Sequence, residues 1–160
     1  MRIALVSLMT IVSAAALAGA ASPVRVEHAE RTVIYEATLP RPAFAPGERV
    51  ELTLTVRNRG EAPVAFVFPT AQRYDLSISR DGGAEVWRWS EDKVFAQVVT
   101  HLTLKQGEAT RFVIAWDQRD RGGGRVAPGR YQAQAIFLGR LPPDSPRSLA
   151  LPPLPFTIGP

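Results

Sequence analysis

The chain has 160 residues, of which 46% are hydrophobic, 21% charged and 8% aromatic, a length suited to one domain around a single core. It has no cysteine, which excludes disulfides, thiolate metal sites, iron–sulfur clusters and a cysteine nucleophile. Two histidines and a net charge of +4, carried by arginines scattered among acids, give little material for histidine-dependent catalysis and no basic stripe of the kind nucleic acid requires.

Residues 1–20 open with one positive charge, Arg2, followed by an apolar run and then Ala18-Gly19-Ala20. A charged start, a short apolar stretch and small residues before a cleavage point predict a secretory signal peptide. The run lies near the lower limit for crossing a bilayer, and no later stretch is apolar and long enough to span one. The expectation is therefore an exported domain, residues 21–160, in the periplasm or outside the cell, with no stable membrane insertion after signal cleavage. Without disulfides, its core alone must hold it together.

From there the chain alternates. Thr32 to Leu39 reads as a first strand, and Val50, Leu52, Leu54 and Val56 fall on one face of a second, with Glu51, Thr53, Thr55 and Arg57 on the other. After Asn58-Arg59-Gly60, residues 64–68 form a strand ended by Pro69. Tyr74, Leu76 and Ile78 alternate towards the turn Asp81-Gly82-Gly83, and residues 84–89 return from it. Ser90, with Glu91 and Asp92 behind it, offers an N-cap for a helical turn over residues 90–95. Further strands follow around Leu102 and Leu104, over Phe112, Ile114 and Trp116, from Pro128-Gly129 to Phe137, and over residues 154–158, where Pro155 suits an edge. Seven to nine short strands broken by Gly, Pro, Asn and Asp predict an all-β fold, an immunoglobulin-like antiparallel β-sandwich. An up-and-down barrel is the alternative.

Candidate chemistry is sparse. No Gly-x-Ser-x-Gly elbow surrounds a serine, and His28 and His101 read as surface residues. Asp117 and Asp120 lie in a glycine-rich loop with Arg119, Arg121 and Arg125, cations that oppose calcium binding. Nothing singles out a pair of carboxylates for glycoside hydrolysis. The expectation is a non-enzymatic protein without metal or other cofactor.

The aromatic residues say more. Trp87 and Trp89 are two apart in a strand, so their rings leave the same face. Together with Trp116 they either fill the core or form an apolar platform for sugars or peptide side chains.

The ordered set Thr70 to Ile78, then Val86-Trp87-Arg88-Trp89-Ser90, then Asp92-Lys93-x-Phe95 resembles the BsuPI family of intracellular proteinase inhibitors. Leu104-x-x-Gly107-Glu108, Trp116-Asp117 and Pro128-Gly129-x-Tyr131 extend the resemblance, which is strongest over residues 50–137. It implies an immunoglobulin-like sandwich and inhibition of a subtilisin-type serine protease, and hence a protein partner. The alternative function is a carbohydrate- or cell-envelope-binding module built on the tryptophans. An inhibitor loop must be stiff and protruding. Residues 40–46 and 141–143 are stiffened by proline, whereas residues 119–125 look too glycine-rich to hold a shape. None of the three stands out, and no reactive loop is assigned at this level.

Overall fold

The computed structural model describes residues 21–141 and 147–160. The predicted signal peptide and Pro142-Pro143 of the late proline loop lie outside the described residues. All regular structure in the described chain is β. In order the strands are β1 (Val24–Glu30), β2 (Val33–Leu39), β3 (Ala43–Phe44), β4 (Val50–Asn58), β5 (Val64–Phe68), β6 (Tyr74–Arg80), β7 (Glu85–Arg88), β8 (Thr100–Leu104), β9 (Ala109–Trp116), β10 (Gly129–Phe137), β11 (Leu149–Ala150) and β12 (Leu154–Ile158).

One sheet runs β1-β2-β4-β9, and the other runs β3-β12-β10-β6-β7, with β11 added to β10. Nearly every pairing is antiparallel; the exception is the short parallel contact of β3 with β12. The two sheets face each other across one core. Period two decides what each strand contributes: Val33, Tyr35, Ala37 and Leu39 of β2, Leu52 and Leu54 of β4, and Tyr131, Ala133, Ala135 and Phe137 of β10 are all buried. Rings bridge the layers, Tyr35 to Phe137 at 5.7 Å and Trp116 to Tyr131 at 6.1 Å between centroids. A separate ribbon, β5 with β8, closes the core by placing Phe66 and Phe68 edge-on against Phe137 at 5.1 and 5.5 Å.

The all-β antiparallel sandwich expected from the alternation is therefore present. Nine strands were legible as alternating runs, and the structure adds β1, β3 and β11. The last two are two residues each, too short for any period to register. β1 carries residues exposed on both faces, so burial imposes no pattern on it. Pro155 also finds its free edge: β3 reaches only Thr157 and Ile158 of β12, and the missing N–H of Pro155 meets no partner strand there.

Two devices fix the turns around this core. Gly129 opens β10 at φ +150°, a conformation in which a side chain is strained. Two residues later the Tyr131 hydroxyl donates to Ala127 O, the arrangement of a tyrosine corner. That is the physical content of the Pro128-Gly129-x-Tyr131 motif. Asn58, wholly buried at the end of β4, donates through Nδ2 to Ala62 O at 2.8 Å and Leu104 O at 3.0 Å. Its Oδ1 accepts from Gly60 N at 2.9 Å and from the Thr32 hydroxyl at 3.3 Å.

Candidate functional site at the edge of the sandwich

β7 is the last strand of its sheet, and most of the residues singled out in the sequence lie on it or just beyond it. Its register sets their directions: Ile78 pairs with Trp87 and Ser77 with Arg88, and a bulge follows between Ile78 and Ser79. Trp87 thus shares the inward face of Ile78, and Arg88 shares the outward face of Asp75 and Ser77.

The tryptophans divide between two clusters. Trp87 is partly buried against the core and lies 6.2 Å from Trp116. Trp116 is 1% exposed, its indole N–H donating to Arg119 O at 2.7 Å. Trp89, also partly buried, has Tyr74 at 4.5 Å and Phe95 at 5.8 Å, with the Lys93 ammonium 4.7 Å from its ring centroid. Trp116 therefore cannot act as an open platform, and Trp89 is crowded by three neighbours. Trp87 keeps an outlook onto a shallow open cleft of about 360 Å³, shared with Arg49, Asp92 and Asp117.

The outward face carries a charge network. Asp75 is 6% exposed, although it lies on the face away from the core. Its Oδ1 accepts from Leu76 N at 2.9 Å and Ser90 N at 3.2 Å, and its Oδ2 from the Ser90 hydroxyl at 2.7 Å and Arg88 Nη1 at 3.1 Å. Arg88 also forks onto both oxygens of Glu85, at 3.2 and 2.6 Å. Hydrogen bonding to Glu85, working against burial and joined by Asp75, raises the Arg88 guanidinium above its ordinary pKa. Arg121 then links Glu85 to Glu91, at 2.7 Å from the latter. The network fastens the β9–β10 loop to the edge strand.

Ser90 is not a helix cap. Residues 89–92 form a turn, and the following residues to Val99 have no regular structure. Asp75, on the neighbouring strand, draws both the backbone N–H and the hydroxyl of Ser90 into its own shell, leaving the hydroxyl no freedom to cap a following helix.

The chain then runs out as an exposed segment. Asp92 is exposed and bonded to Lys93 Nζ at 2.8 Å, which lowers its pKa. Lys93 Nζ also donates to Trp89 O at 2.7 Å. Among the described residues the large hydrophobic side chains left exposed are Val94 at 99%, Val99 at 61%, Val113 at 53% and Val98 at 52%. Three of these four fall within six residues. From sequence, Val94 falls in the helical turn expected over residues 90–95, and Val98 and Val99 belong to no expected strand. The available signal was their place between a polar turn and the next strand, where no partner strand claims them.

The loops favoured for stiffness fare differently. Residues 40–46 do not protrude: Ala43–Phe44 join the sheet as β3, and Phe44 is buried against Phe156. The glycine-rich loop is tied rather than loose. Asp120 Oδ1 accepts from Gly122 N and Gly124 N at 2.9 and 3.0 Å, and Arg119 Nη1 donates to Gly123 O at 2.7 Å. Gln118, 1% exposed at φ 60°, clamps the same loop to the β3–β4 turn through Ala45 O at 2.8 Å and Gly47 N at 2.7 Å. His28 lies exposed on β1 and His101 exposed on β8. Among the described residues no three His, Cys, Asp or Glu side chains group to hold a metal ion.

Fold and site together define a disulfide-free, two-layer β-sandwich with an apolar segment displayed beyond its edge strand. The chain belongs to the BsuPI family, described as intracellular proteinase inhibitor, which matches residues 37–141. The match spans β3 through β10 and includes every residue of the edge-strand site. No curated protein sequence matches the chain. Among solved structures it is similar to the C-terminal domain of Wzt, with 10% identity and a TM-score of 0.51 over 85% of this chain and 78% of that one. That likeness concerns the fold alone. A β-glucosidase from Erythrobacter marinus is similar at 19% identity and TM-score 0.43 over 85% of this chain. The alkylpurine DNA glycosylase AlkC of Pseudomonas fluorescens is similar at 16% identity and TM-score 0.43 over 88%. The chain spans only 15% and 31% of those two proteins.

Proposed function

We infer that this protein is a non-enzymatic inhibitor of a serine protease of the subtilisin type, exported and active in the periplasm or outside the cell. The observation that carries the reading is the family match over residues 37–141. Two further features support it. Three of the four exposed large apolar side chains among the described residues gather in one segment, as in a protein-binding surface. The sandwich beneath that segment is held by a packed core and buried hydrogen bonds without any disulfide. Export rests on the layout of residues 1–20.

The carbohydrate-platform reading is the weaker one, because Trp116 is buried and Trp89 is crowded. The test is a titration of the domain, residues 21–160, against subtilisin and trypsin, following residual hydrolysis while a gel reports the state of the chain. Loss of subtilisin activity at one equivalent with the chain intact is the expected outcome. Undiminished activity at a tenfold excess would contradict the reading.

A further inference from the structure

We propose that residues 92–99, the segment between β7 and β8, are the protease-contacting loop, with the Val94 side chain entering an apolar primary specificity pocket. This rests on the inhibitor reading above and adds the loop and the contact residue.

A loop that mimics a substrate gains affinity when its bound shape exists beforehand, since ordering it on binding would consume interaction energy. Residues 92–99 are held at intervals. Lys93 N donates to Ser90 O at 3.1 Å, and Lys93 Nζ is fixed by Trp89 O and Asp92. Phe95 turns back onto Trp89. Ala96 O accepts from Ala71 N at 3.0 Å, and the Thr100 hydroxyl donates to Thr70 O at 3.2 Å. Trp89, the anchor for both Lys93 and Phe95, is itself set against Tyr74.

Val94 stands between these fixed neighbours. Lys93 and Phe95 fold back on the same indole ring, while Val94 is 99% exposed. Its backbone N–H and C=O make no hydrogen bond to any other described residue, and no residue of the segment adopts a positive φ. The free N–H and C=O of Val94 can pair with the strand-like edge of a protease cleft, where main-chain bonds supply affinity and one side chain supplies specificity. A fully exposed aliphatic side chain gains nothing from water and much from an apolar pocket. Val94 therefore matches proteases with an apolar primary pocket, of the subtilisin or elastase kind. It does not match trypsin, whose pocket carries an aspartate.

The experiment uses the domain as it stands, with subtilisin, elastase and trypsin as probes. Val94→Asp is expected to weaken inhibition of the apolar-specific enzymes about 100-fold, the size expected for a central contact residue. Val94→Arg is expected to lose that inhibition and gain inhibition of trypsin, an exchange that misfolding cannot produce. Glu61→Arg, at the far end of the β5–β8 ribbon, should leave inhibition unchanged. Thermal unfolding of all three variants should coincide with the parent, because neither Val94 nor Glu61 is buried. If the parent inhibits but Val94→Asp and Val94→Arg match it on every protease, the loop assignment is overturned and the inhibitor reading stands. If the parent inhibits none of the three, the inhibitor reading fails and takes this one with it.

Discussion

Phe137→Ala is expected to destabilise the domain by about 4 kcal/mol, the range for deleting a fully buried phenylalanine. Small domains have only about 5–15 kcal/mol in hand, so this one change would remove much of the margin. Phe137 is where three parts of the structure meet. Phe66 and Phe68 of the β5–β8 ribbon pack edge-on against it, Tyr35 approaches from β2, and Phe112 from β9 at 6.4 Å. Gly139, two residues on, lies so close that a Cβ there would come within 2.5 Å of the Phe137 ring. The ring is thus enclosed on several sides, and little can collapse into the space it leaves. Urea unfolding followed by tryptophan fluorescence measures the loss directly. A change under about 1 kcal/mol would mean that the ribbon is not fastened through this ring.

Asn58→Ala is expected to cost about 3 kcal/mol. Its amide serves four partners in three turns: Thr32 between β1 and β2, Gly60 and Ala62 between β4 and β5, and Leu104 at the end of β8. Removing it leaves two carbonyls, an N–H and the Thr32 hydroxyl without this partner, and the bond to Leu104 O is buried. Asn58→Asp should also be destabilising, because a carboxylate cannot donate to Ala62 O or Leu104 O. Equal midpoints for Asn58→Ala and the parent in the same urea titration would contradict this account of the turns.

The sandwich was legible where burial imposes alternation. β2, β4, β10 and β12 each show a buried residue at every second position, and each was visible in the sequence. β1 was not, because neither of its faces is consistently covered. The site was legible only in part. The spacing of Trp87 and Trp89 places both on one face of an extended strand, yet it could not say that one would meet Trp116 and the other Tyr74. That division depends on which strands lie opposite. The Asp75–Arg88 pair depends on the register of β6 against β7 and on the bulge beside it, which no local pattern encodes. Ser90 misled for a related reason: its capping potential is local, whereas the carboxylate that claims it is 15 residues away. Val94 fell within the same expected helical turn, and no local pattern shows that its side chain stands exposed.

Calorimetric titration into subtilisin, free and with its catalytic serine blocked by a bulky sulfonyl group, asks whether Val94 enters the primary pocket. One-to-one binding to the free enzyme is expected, with at least about 100-fold weaker binding to the blocked one, because the blocking group fills the pocket meant for Val94. Equal binding to both forms, or none to either, would contradict it.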